Sequence, residues 1–215
     1  MSKRFRKMVY LVVGAAALVA VYIGVISTPW VQRYLERRMI RELEASTGAR
    51  VEIRDFQFRP IILQFILHDL VLRGKEPASS PAMFSAKTVV IQLSPRAIIE
   101  WKPLFRSLDW DEAEIHLSTN PDGTTNLPDL PRLVEAGGSV GRLTLARTKL
   151  FWNERRLRAD LSAGDVAVLI RRNPAGDYSG SLSTSGVKIL NPALSLPSVS
   201  FSSHFDLSET GVQTR

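Results

Sequence analysis

The chain has 215 residues, with 28 Lys+Arg against 21 Asp+Glu, three His, no Cys and 45% hydrophobic side chains. That apolar fraction and length exclude a disordered chain and allow one large domain or two small ones. The missing cysteine excludes a disulfide-stapled fold, a thiolate metal centre, a Cys nucleophile and a lipoprotein anchor.

Of the net charge of +7, four units lie on Lys3, Arg4, Arg6 and Lys7. Basic residues placed this way are a membrane-topology signal rather than a nucleic-acid-binding face, so no nucleic-acid partner is expected. No charged side chain follows until Arg33, and Met8–Thr28 reads MVYLVVGAAALVAVYIGVIST. As a helix, these 21 residues would rise about 1.5 Å each and cover roughly 31 Å, the thickness of a bilayer's hydrocarbon core. Tyr10 and Trp30 stand near its two ends, where amphipathic rings favour the interface. The span is longer than the apolar region of a cleaved signal peptide, and Pro29 crowds the one small-residue exit at Val25-x-Ser27. The expectation is a cytoplasmic tail over 1–7, an uncleaved transmembrane signal-anchor over 8–28, and everything after it outside the cytoplasm.

Residues 29–48 read as a membrane-proximal helix. Pro29 suits the first turn, Gly48 suits the C′ position, and Val31, Leu35, Ile40 and Leu43 recur near helical spacing. The polar positions mix Arg33, Arg37, Arg38 and Arg41 with Glu36, Glu42 and Glu44. Mixed signs favour a solvated face on a helix that plugs the end of a β-domain over arginines set against headgroups.

From Arg50 the period changes from 3.6 to 2. Val51 and Ile53 alternate with polar residues, then the phase shifts into Phe56 and Phe58, which predicts a bulge. Strands are expected around Leu63–Leu67, Leu70–Leu72, Val89–Ser94 and Trp110–Leu117. A short helix or turn is expected over Pro95–Phe105, a turn at Asn120-Pro121-Asp122-Gly123, and a second short helix from Asn126 to Gly138. Leu143 with Leu145, Leu150–Trp152, Leu157–Leu161, Val166–Ile170, Tyr178–Ser183 and Leu196–Leu207 supply the remaining strands. In the last of these, Val199, Phe201, Phe205 and Leu207 face one way, with Ser203 among them, and Ser200, Ser202, His204 and Asp206 the other. An apolar sheet face must be covered, either by a second sheet, the commoner arrangement, or by something that is not protein.

No catalytic constellation is visible. His68, His116 and His204 are far apart, without metal-ligand spacing, so no metal or other cofactor is expected. Asp109, Asp111, Glu112 and Glu114 are expected to split between the two faces of a strand and to be solvated. Gly176-Asp177-Tyr178-Ser179-Gly180 reads as a hairpin turn, and the pairs Arg155-Arg156 and Arg171-Arg172 lack stacking aromatics.

Four stretches carry a resemblance. They are the apolar span, Thr47-Gly48-Ala49-Arg50-Val51-Glu52-Ile53, Leu67-His68-Asp69-Leu70-Val71-Leu72-Arg73-Gly74, and Asp122-Gly123-Thr124-Thr125-Asn126-Leu127. Together they resemble the N-terminal part of the AsmA-like superfamily of Gram-negative envelope proteins, most of all the TamB group (translocation and assembly module, inner-membrane subunit). The resemblance implies a mainly β chain with an N-terminal transmembrane helix, whose residues 49–215 begin a longer, elongated, curled, antiparallel-type sheet in the periplasm. It also implies a non-enzymatic role in carrying phospholipid toward the outer membrane or supporting outer-membrane protein assembly. A partner barrel in the outer membrane would be reached through a C-terminal region beyond this chain. On that reading the groove lining is Leu63, Phe65, Leu67, Val89, Ile91, Leu93, Ile115, Leu117, Leu143, Leu145, Val199 and Phe201. The rival expectations are a scaffold that templates client strands at a sheet edge, and an enzyme domain on a membrane stalk.

Overall fold

The computed structural model describes residues 13, 14, 17, 21, 24, 25 and 28–214, apart from 75, 78, 101–103, 127–138, 157, 192–193, 196–197 and 209–210. The expected membrane span over 8–28 and the expected helix after Asn126 therefore fall largely outside the described residues. Among the described residues no helix is long and apolar enough to cross a membrane.

Helix α1 (Pro29–Thr47) starts with proline in its first turn. It ends at Gly48, whose φ of 66° is the left-handed conformation and whose N–H donates to the Glu44 carbonyl at 2.8 Å. Leu35, Met39, Ile40 and Leu43 pack against the sheet's core. The Gln32 side-chain amide accepts from the Phe58 N–H at 2.8 Å and donates to the Phe58 carbonyl at 3.0 Å. One glutamine thus takes the place of a neighbouring strand at that point of the sheet edge. Glu44 accepts the Val51 N–H at 3.1 Å and ties the other end of the helix to the same edge.

The strands are β1 (Arg50–Glu52), β2 (Asp55–Arg59), β3 (Gln64–Arg73), β4 (Phe84–Leu93), β5 (Leu104–Thr119), β6 (Ser139–Val140), β7 (Arg142–Glu154), β8 (Ala159–Arg172), β9 (Tyr178–Asn191), β10 (Leu194–Ser195), β11 (Val199–Ser208) and β12 (Gly211–Thr214). A short helix, α2 (Arg96–Glu100), precedes β5. All twelve strands among the described residues belong to one open, curled sheet, ordered β1-β3-β4-β5-β7-β8-β9-β11-β12. β2 continues the edge along β3 after a break at Ile53–Arg54; in place of the expected bulge, Glu52 to Asp55 faces Val71 to His68 with no extra residue on either strand. The sheet is mixed rather than purely antiparallel, because β5 pairs in parallel with β6 and β7. The chain from 120 to 141 is long enough to return to the starting end of β5 before pairing, as a parallel neighbour requires.

A line of kinks crosses this sheet. Asp69, Glu112, Arg147, Asp165 and Gly186 have φ of 51°, 48°, 50°, 47° and 69°. They lie on β3, β5, β7, β8 and β9, and the pairing registers set them beside one another, with Lys87 of β4 filling the gap. At each crossing two consecutive residues face outward, so inward-facing residues recur three apart: Leu67 and Leu70, Ala86 and Val89, Trp110 and Ala113, Leu145 and Thr148, Ala163 and Val166. Ala113 and Thr148 are 0% exposed although every strand belongs to the same sheet. The sheet curls toward these small side chains, and their face is the inner one.

The kinks explain where strand boundaries differ from expectation. Leu143–Leu145 and Leu150–Trp152 are one strand, β7, and Ala159–Leu161 of the expected Leu157–Leu161 strand falls together with Val166–Ile170 on β8. A two-residue phase change breaks the alternation without breaking the ladder. The core proper, Val51, Phe56, Leu67, Leu70, Met83, Phe84, Ala86, Val89 and Ala113, lies at the α1 end. Phe58 stacks on Phe65 at 4.6 Å and Phe84 meets Trp110 edge-on at 5.1 Å.

Candidate functional site

The inner face is built from cross-strand rows. One row runs Phe58, Phe65, Ile91, Leu108, Leu143, Ile170, Gly180 and Phe205 from β2 to β11. The next runs Phe56, Leu67, Val89, Trp110, Leu145, Val168 and Leu182. Beyond the kink line come Leu72, Phe84, Ile115, Leu150 and Ala163, then Leu117, Trp152, Leu161 and Ile189. Val199 and Phe201 stand opposite Val187 and Thr184 on the same face. Gly180 leaves room for the Phe205 ring, which lies only 2.6 Å from where a Cβ at 180 would stand.

Of the residues expected to line a groove, all but Leu63 therefore share this face. Leu93 sits at its margin opposite Phe105. Leu63 lies in the turn before β3 with φ of 51°, and its carbonyl accepts the Leu93 N–H at 2.9 Å. The face is not uniformly open. Leu67 and Val89 are buried in the core against which α1 packs, and Leu145 on β7 is buried as well, so these three act as core residues. Toward β11 the apolar side chains are uncovered, and Phe201 is 51% exposed. Trp152, also exposed, donates its indole N–H to the Thr119 hydroxyl at 3.1 Å.

The outer face is charged and self-paired. Asp109, Asp111, Glu112 and Glu114 do not split between faces: the kink at Glu112 turns all four outward, opposite Val90, Thr88, Lys87 and Ser85. Each has a cation: Arg142 at 3.2 Å from Asp109, Arg147 on Asp111, Lys87 at 2.9 Å from Glu112, and Lys149 at 2.8 Å from Glu114. The hydrogen bond from Lys149 holds the Glu114 carboxyl below the ordinary glutamate range, and its partner ammonium is raised in turn. Glu112 raises Lys87 and Asp111 raises Arg147 in the same way. At the kink line itself Arg54 pairs with Asp69 at 3.1 Å. Glu114, held as a carboxylate by the Lys149 hydrogen bond, is poorly suited to give up and take back a proton near neutral pH.

The three histidines are on β3, β5 and β11, and among the described residues no group of His, Asp or Glu could hold a metal ion. His116 stacks on Phe151 at 4.7 Å, and His68 Nδ1 lies 3.5 Å from the Thr88 hydroxyl. A cleft of about 810 Å³ lies at the Thr119 end of β5, bordered by the 76–81 loop, the His116–Phe151 pair, Arg155 and Asp160. Several of its polar groups bond within the protein: Glu76 accepts from Gly74 and Met83, Asn126 bridges Ser118 and His116, and Asp160 accepts from Asn153. Leu117, Trp152 and Leu161 of the inner face also border this cleft, so it is one end of the candidate site, which is the inner face as a whole.

The sequence reading missed Leu108, Trp110, Leu150, Leu161, Val168, Ile170 and Leu182 as inner-face residues. The signal that finds them is the three-residue apolar spacing at the kink, which period-2 counting treats as a strand end. No family model matches the chain, and no curated protein matches it.

Proposed function

We propose that this chain is a membrane-anchored envelope protein of the AsmA-like kind, most like the TamB group, which holds phospholipid acyl chains on the inner face of its sheet for transfer toward an outer membrane. The observation that carries the reading is the set of apolar rows on one face of the sheet, one of them running from β2 to β11, covered by α1 at one end and exposed at Val199 and Phe201 at the other. Strands lie about 4.8 Å apart, so the stretch from β7 to β11 is roughly 14 Å wide, close to the ~15 Å that acyl chains span in one leaflet. At about 0.8 kcal/mol per methylene withdrawn from water, ten covered methylenes contribute about 8 kcal/mol, a micromolar affinity before ordering costs. Gln32 occupies part of the sheet edge at β2, which favours lipid on the face over a client strand at that edge. The experiment is lipid mass spectrometry on the full chain extracted in mild detergent. Co-purifying phospholipid supports the proposal, and its absence under gentle extraction counts against it.

A further inference from the structure

We propose that the solvent face of α1 docks on an anionic phospholipid bilayer surface through four arginines and two aromatic rings. The sequence mixes acids and bases along this segment, but the helix separates them. Arg33, Arg37, Arg38 and Arg41 are all exposed, on the side that also presents Trp30 and Tyr34. Trp30 is 76% exposed, and its ring stacks on that of Tyr34 with centroids 6.4 Å apart. Glu36 and Glu44 are half-buried, with Glu44 already bonded to the Val51 N–H, so Glu42 is the only exposed acid on the helix.

Among the described residues none of these four arginines forms an ion pair, whereas the bases along the kink line pair with carboxylates. Four exposed arginines on one helix face, without a carboxylate partner among the described residues and beside two aromatic rings, call for an external anion. A bilayer surface fits better than an acidic protein for two reasons. Trp and Tyr beside Arg are the residues that settle at the headgroup level. The strip also begins directly after the bilayer-length uncharged segment ending at Thr28. The inference rests on the membrane-anchored part of the proposed function and not on acyl-chain binding. Docked this way, α1 holds the β1–β4 end of the sheet against the headgroups.

Each basic side chain near an anionic surface strengthens association about fivefold, so the four together contribute roughly several hundred-fold. The test uses the full chain carrying Ala45→Cys, its only cysteine, labelled with a fluorophore and reconstituted into vesicles that contain a lipid with a spin label on its headgroup. The vesicles are phosphatidylcholine alone or phosphatidylcholine with phosphatidylglycerol. The expected result is strong quenching in the anionic vesicles, lost at high salt and lost when Arg33, Arg37, Arg38 and Arg41 are all changed to Gln. The corresponding Lys variant should keep it, which separates charge from helix integrity. Equal quenching in both vesicles, or quenching that survives the Gln changes, would overturn the docking while flotation with both vesicles leaves the anchor standing. A chain that floats with neither vesicle overturns the anchor and the docking together.

Discussion

Glu112 on β5 and Arg147 on β7 are neighbours on parallel strands, both with positive φ, and the guanidinium lies 3.6 Å from the carboxylate. Neither side chain is of a type that adopts this backbone conformation readily, and each such residue costs on the order of 1 kcal/mol or more. The cost is met where two kinks coincide, because the kink turns both residues outward and brings opposite charges together. A one-residue slip of β7 along β5 would separate this pair and also carry the inner-face residues to the outside. The kink line therefore sets the register of the sheet and its curl together.

Gly186 is the position on that line where conformation can be tested apart from contacts, since nothing lies within 4 Å of where its Cβ would stand. Gly186→Val should destabilise the domain by roughly 1–2 kcal/mol, because a β-branched residue resists positive φ. Gly186→Asn should cost much less. Chemical denaturation of the two variants beside the parent measures the difference.

The Glu114–Lys149 pair makes a pH prediction. Glu114 is depressed in the folded state by the Lys149 hydrogen bond, so its contribution is present above the unfolded glutamate pKa and is lost as pH falls through the lower folded value. Lys149→Met should return Glu114 toward the ordinary range in an NMR titration. The variant should also lose less stability than the parent across that acidic window.

How much of this was legible in the sequence turns on the kinks. Helix α1 and its glycine stop at Gly48 follow from spacing and cap chemistry, and the alternation of Val199–Asp206 places that strand's faces correctly. The outward turn of Asp109, Asp111, Glu112 and Glu114 did not follow. A positive φ at a glutamate leaves no mark in composition, and strict alternation puts Glu112 on the wrong side. The parallel pairing of β5 with β7 was equally hidden, because a long connection specifies only that a crossover is possible. The apolar groove candidates were found as types of residue, but not which of them α1 covers. Leu67 reads like Leu143 in sequence and differs only in what packs over it.

That difference is measurable. Leu67→Ala removes a side chain that is 0% exposed and should cost about 2–5 kcal/mol of stability. Phe201→Ala, at a half-exposed position, should cost well under 1 kcal/mol. Thermal unfolding of both variants reports which inner-face residues are core and which are open.

The proposed membrane anchoring predicts an orientation set by Lys3, Arg4, Arg6 and Lys7. A reporter active only outside the cytoplasm should work when fused after Gly74, and neutralising all four residues should weaken that result, because Arg33, Arg37, Arg38 and Arg41 stand on the other flank. Activity of a cytoplasm-only reporter at the same fusion point would reverse the topology.

The central claim is that the open inner face holds acyl chains, and a charge placed there tests it. In an open groove a carboxylate at Phe201 or Leu117 stays hydrated when lipid is absent, whereas in a closed core it would be an unpaired buried charge that unfolds a marginally stable domain. The decisive measurement is bound phospholipid per chain, by mass spectrometry, for the parent, Phe201→Asp and Leu117→Asp, with thermal unfolding of the same samples. The account predicts phospholipid on the parent and little on either variant, with both variants still folded. No phospholipid on the parent, together with gross unfolding of both variants, would contradict it.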